Sequence, residues 1–175
     1  MEINLRTDFK STIDDLGGAP AEIERAARIA INKAAERVRV DSGGEISDNI
    51  KPRRGAKREI KSRIKTVKAR GYNLTATIYF NERGFGIEKT AKATIRKVRG
   101  KGGRYTVRFR GRQINKAFRV GGKSAILLRS GGKLERLFSY TLLQEARRAD
   151  VFTTGQQEGL RVASEEFVRQ LRLFK

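Results

Sequence analysis

The chain of 175 residues contains no cysteine and no histidine. Without cysteine there is no disulfide, no thiolate nucleophile and no Cys-based zinc site. Without histidine the commonest general base, the imidazole metal ligand and every His-based triad are gone. Chemistry would fall to carboxylates, lysines and hydroxyls, and the carboxylates are scattered. Long apolar runs are also missing, so nothing here is expected to span a bilayer. The opening MEINLRTDFK lacks the apolar core of a signal peptide, and synthesis in the cytoplasm is expected.

Positive charge is what the chain has in excess. Lys and Arg number 40 against 19 Asp and Glu, for a net charge of +21 and a sequence pI of about 11.1. Self-repulsion at this charge opposes compaction, so a polyanion or an acidic protein is expected as partner, with nucleic acid first. The hydrophobic fraction of 38% still supports one core, and the length suits a single domain over 1–175.

Hydrophobic spacing divides that domain into an N-terminal strand and helices over about 1–68, a β-rich middle over about 73–140, and a C-terminal helix over about 154–174. Ile3 and Leu5 mark a short edge strand. A short helix carrying Phe9, Ile13 and Leu16 is expected to stop at Gly17-Gly18. Pro20 opens a longer helix with Ile23, Ala27, Ala30, Ile31, Ala34 and Val38 on one stripe, expected to end before Ser42-Gly43-Gly44. Residues 51–70 hold ten basic residues and one acidic one, with a basic helix expected from about Ala56 to Lys65. The alternation in 73–81 predicts a half-buried strand, and 82–91 reads as a loop.

No acidic residue occurs from Lys89 to Leu134. Two hairpins are expected there and just beyond it, turning at 100–103 and at Ser130-Gly131-Gly132-Lys133, with QINKAFRV as a further strand. On the strand at 104–110, Tyr105, Val107 and Phe109 are expected to face the core, with Arg104, Arg108 and Arg110 opposite. Changing those three arginines together to serine is expected to leave the fold intact. The last helix is read from Leu160, Ala163, Phe167, Leu171 and Phe174. The predicted fold class is α+β: an antiparallel, curved β-sheet with N-terminal and C-terminal helices packed on one face.

Two basic groups are candidates for contact with nucleic acid or a partner: Arg53, Arg54, Lys57, Arg58, Lys61 and Arg63, then Arg104, Arg108, Arg110 and Arg112. Neutralised phosphates release condensed counterions, which is why such groups bind polyanions in a salt-dependent way. A solvated face, or an edge kept from aggregating by charge, is the other reading of each. Glycine-rich runs do not make a phosphate loop. VGGKS at 120–124 has Ala117 where the first glycine of a P-loop belongs, and RGKGGR at 99–104 is no dinucleotide fingerprint. Asp41, Glu45 and Asp48 lie close in sequence, but a helix end and polar loop account for them, and no catalytic residue, metal or cofactor is expected.

Four segments carry a resemblance: AARIAINKAAERVRV (26–40), KREIKSRIKTVKARGYNLTATIYF (57–80), GRQINKAFRVGGKSAILLRSGGK (111–133) and EEFVRQLRLF (165–174). In type and order they resemble the minor tail protein Z family of tailed bacteriophages, within the wider group of tail-completion and head–tail joining proteins. The segment 82–103 departs from that pattern. The resemblance implies a structural virion protein at the head–tail junction and no enzyme, assembled in the host cytoplasm. It would act late at the head-proximal end of the tail, in a homo-oligomeric ring, commonly of six subunits, around genomic DNA and beside other tail and junction proteins. The alternative is a free basic nucleic-acid-binding protein, ribosome- or nucleoid-associated. No membrane partner is expected in either case.

Overall fold

In the computed structural model, helix α1 spans Pro20–Ile50 and runs through Ser42-Gly43-Gly44, where the sequence predicts a stop. Burial is the reason. Ala27, Ala30, Ile31, Ala34 and Val38 are buried, and the same stripe continues past the glycines through Ser42, Ile46 and Ile50. A helical glycine costs about 1 kcal/mol relative to alanine, whereas burying each isoleucine contributes about 1.5–3 kcal/mol. Ser47 Oγ donates to the Gly43 carbonyl at 2.7 Å within this turn. Asp41, Glu45 and Asp48 therefore lie on the helix and not in a loop beyond it.

The structure describes residues 2–6, 20–71, 73–99, 103–119 and 125–173. The expected helix with Phe9, Ile13 and Leu16, turn positions 100–102, the 120–124 segment and Phe174 lie outside these.

The fold is α+β, with antiparallel sheets between an N-terminal and a C-terminal helix. Among the described residues the strands divide into three sheets. In the first, β1 (Glu2–Arg6) is an edge strand as expected, in the order β1-β3-β2 with β2 at Ile64–Val67 and β3 at Thr75–Phe80. Ile3 pairs with Ile78 and Leu5 with Ala76. Helices α1 and α4 (Val151–Arg172) cover the apolar face of this sheet. Close approach of α4 requires glycine: a Cβ on Gly159 would lie 2.6 Å from Leu5 Cδ2 and 3.1 Å from Val38 Cγ2. The buried face of α4 thus includes Val151, Gly159, Ala163 and Phe167, while Leu160, expected in the core, is exposed.

Helix α2 covers only Lys57–Ser62, shorter than the expected span, because Ile64 leaves it to pair with Phe80 in β2. The stretch read as a loop at 82–91 contains β4 (Gly84–Gly86) and a 3-10 turn at Ile87–Lys89. Strand β4 pairs with β10 (Phe138–Thr141), and a Cβ on Gly84 would meet the Phe138 ring at 2.5 Å. Helix α3 (Leu142–Arg148) follows at once, opened by a capping box between Thr141 and Gln144.

The third sheet is a five-stranded meander: β5 (Thr94–Lys97), β6 (Arg104–Phe109), β7 (Arg112–Phe118), β8 (Leu127–Ser130) and β9 (Lys133–Arg136). Both expected hairpins are present, and Gly131 and Gly132 take the left-handed angles of a tight turn, with φ of 52° and 78°. One face of the meander covers a small apolar core of Ile87, Ala93, Val107, Ala117 and Ile126. Phe109 packs against both this cluster and the main core.

Candidate nucleic-acid interface

Strand β6 alternates as its residue types require. Val107 is buried, Tyr105 and Phe109 pack against apolar clusters, and Arg104 and Arg108 are exposed. Pairing extends the exposed face across the sheet. Arg96 lies opposite Thr106, Phe118 opposite Arg104, and Leu127 opposite Phe118. A register shift between Tyr105 and Val107 gives β7 one extra residue there, so that Ala117, opposite Tyr105, and Ile114, opposite Val107, both meet the small apolar cluster. Arg104, Lys116, Phe118, Arg119 and Arg129 line an open groove of about 560 Å³ at the start of β6. The Arg119 guanidinium sits 5.1 Å from the Tyr105 ring centre. Further along, Arg108 Nε donates to Gln113 Oε1 at 2.7 Å, and the Gln113 amide donates to Asn115 at 2.8 Å.

Lys116, Phe118, Arg119 and Arg129 are absent from the sequence-derived set. Their signal is the alternation in QINKAFRV and SAILLR, which sets their side once the register with β6 is known.

Arg110 is a correction. It leaves the strand at a two-residue turn with Gly111, at φ of 51° and 73°. Its guanidinium lies 4.2 Å over the Tyr140 ring and donates to Glu145 Oε1 at 3.1 Å. It does not share the solvent face of Arg104 and Arg108. The expectation that all three can be replaced without harm to the fold fails at this position. Arg112 is exposed at the start of β7, paired with Phe109.

The 51–63 group is divided as well. Arg53 holds the approach to β5, with Nε donating to the Thr90 carbonyl at 3.2 Å and Nη2 to the Ala93 carbonyl at 3.0 Å. Arg63 is mostly buried and donates to the Arg83 and Gly84 carbonyls at 2.8 and 3.2 Å and to Glu59. Partial burial alone would raise the Glu59 carboxyl, but Lys89 and Arg63 beside it hold it below the usual carboxylate range. Arg53 and Arg63 are thus structural clasps. Arg54, Lys57, Arg58 and Lys61 are exposed on the turn and on α2, and none of them lines the sheet groove.

The chain matches no family model, and no curated protein or solved structure is significantly similar to it.

Among the described residues, no helix is long and apolar enough to cross a membrane, and no group of three Asp or Glu could hold a metal ion. Asp41 is paired with Arg37 at 2.8 Å. The groove offers rows of guanidinium and ammonium donors around one aromatic ring, with no carboxylate lining it. Such a surface binds phosphates or carboxylates by charge and hydrogen bonding.

Proposed function

We propose that the chain is a structural virion protein of a tailed bacteriophage, related to the minor tail protein Z family. It works as a tail-completion component at the head-proximal end of the tail. It docks as one subunit of a ring, helps join tail to head, and helps position the DNA end; no bond is made or broken by it. The observation that carries this reading is the five-stranded sheet. Its exposed face presents Arg104, Lys116 and Arg129, and no acidic residue occurs between Lys89 and Leu134 to answer them. A surface so unbalanced within its own chain calls for a polyanion, and DNA is the polyanion at the junction. Its edge strands, β5 and β9, lack a further described strand beside them, which suits subunit-to-subunit pairing. Reconstruction of an intact particle tests this: the chain is expected in a ring at the head–tail junction, and its absence there defeats the proposal.

A second reading is a free nucleic-acid-binding protein, and Phe118 favours it. An aromatic ring set among Arg104, Arg119 and Arg129 can stack a base of a single strand while the cations hold its backbone. Stoichiometry separates the two. A free binder holds nucleic acid tightly as a monomer or dimer, with a steep salt dependence, whereas a ring subunit binds weakly until assembled.

A further inference from the structure

We infer that the cleft between the β6–β7 turn and α3 binds a phosphate monoester. Lys92, Arg110 and Arg148 converge on this open cleft of about 770 Å³, above Phe109, Tyr140 and Glu145. It lies at the end of β6 opposite the basic groove, roughly 17 Å away at about 3.3 Å per residue.

Each wall has a distinct task. Glu145 is buried, and its Oε1 accepts from Arg110 at 3.1 Å. Its Oε2 is buried too and has no hydrogen-bond partner among the described residues, so its charge acts inside the protein. Arg110 is thereby held over the Tyr140 ring, at 4.2 Å from its centre, with half of its side chain still exposed. A guanidinium held at both its ring and its carboxylate presents its remaining N–H donors as a fork for two oxygens of one anion. Lys92 and Arg148 are exposed, and neither has a carboxylate partner among the described residues. Three cations against one carboxylate leave two net positive charges in the cleft. A phosphate monoester carries about −1.5 to −2 at neutral pH, with three strong acceptor oxygens. A backbone phosphodiester carries only one negative charge, and the cleft therefore favours a free or terminal phosphate over the interior of a strand.

The source of that phosphate is either a small molecule or the end of a nucleic acid, and one set of titrations separates them. The full chain is titrated calorimetrically with inorganic phosphate, then with a short DNA duplex bearing a 5′-phosphate or a 5′-hydroxyl. The variant Lys92→Gln with Arg148→Gln alters only exposed, unpaired side chains and is expected to keep the fold. It should weaken phosphate binding at least about tenfold. A control with Arg104→Gln and Arg129→Gln should leave phosphate binding unchanged. A preference for the 5′-phosphorylated duplex that disappears in the Lys92/Arg148 variant identifies a terminal phosphate as the ligand. Equal binding of the two duplexes, with inorganic phosphate binding still dependent on Lys92 and Arg148, identifies a free phosphate compound. Phosphate binding equally to wild type and to the Lys92/Arg148 variant overturns the inference. That failure would leave the virion proposal standing, because the proposal rests on the groove at the other end of β6.

Discussion

Arg110 and Glu145, 35 residues apart in sequence, meet at 3.1 Å and tie the β6–β7 turn to α3. The carboxylate is almost fully buried and the arginine is half exposed. Removing the arginine leaves a buried negative charge without its partner, the costly way to break such a pair. Arg110→Gln is expected to destabilise the protein by about 2 kcal/mol, below the range for fully buried pairs because Arg110 touches water. Arg110→Gln combined with Glu145→Gln should recover most of that loss. Denaturant unfolding of both variants checks this, and a double variant as unstable as the single one would contradict it.

Two helical glycines should respond to alanine with opposite signs. Gly159 lies against Leu5 and Val38, so Gly159→Ala forces α4 away from β1 and should cost about 1–3 kcal/mol. Gly44 sits inside α1 with nothing within 4 Å of an added Cβ. Gly44→Ala should stabilise the protein by about 0.5–1 kcal/mol by reducing the freedom of the unfolded chain. Thermal unfolding of the two variants reads both signs, and a stabilised Gly159→Ala would contradict the helix packing described above.

Acid should weaken the contact between α1 and α4. Glu166 accepts from Arg169 at 2.6 Å and from Lys33 at 2.8 Å. Hydrogen bonding to Arg169, then to Lys33 and Gln170, outweighs desolvation and pushes its carboxyl down to about 2 from an ordinary value of 4.5. A carboxyl lowered in the folded state contributes stability that is fully present above its unfolded value. That contribution is lost as pH falls from about 4.5 toward about 2. Its size is on the order of 1 kcal/mol, because Lys33 and Arg169 are both well exposed. Glu166→Gln should lower stability at neutral pH and flatten the acid limb over that window. An unchanged acid limb would remove Glu166 from the account.

Local patterns carry much of this fold into view. The stripe of α1, the alternation of β3 and β6, and the paired glycines of the β8–β9 turn each follow from spacing within a few residues. The departures share a physical cause, which is burial by distant segments. Ser42-Gly43-Gly44 reads as a helix stop until Ile46 and Ile50 are seen to need the core. Gly84 and Gly86 read as loop residues until Phe138 and Arg136 are found packed beside them. Helix α3 is signalled by its Thr141–Gln144 capping box, but the strand pattern before it runs on and masks the signal. At the site, Arg104 and Arg108 are readable from alternation alone. Lys116, Arg119 and Arg129 need the strand register, and the tasks of Arg53, Arg63 and Arg110 depend on carbonyls and carboxylates 20 or more residues away.

The central claim is that the exposed face of the five-stranded sheet meets a polyanion. Duplex DNA affinity measured against salt, from low ionic strength upward, tests it most directly. The comparison is between wild type and a variant with Arg104, Lys116, Arg119 and Arg129 changed to glutamine. Every phosphate that the variant leaves without its cation should make the slope of log affinity against log salt shallower by about 0.9, so the four changes together should make it shallower by up to about 3.6. An identical slope in the two proteins would show that this face does not touch DNA and would contradict the account.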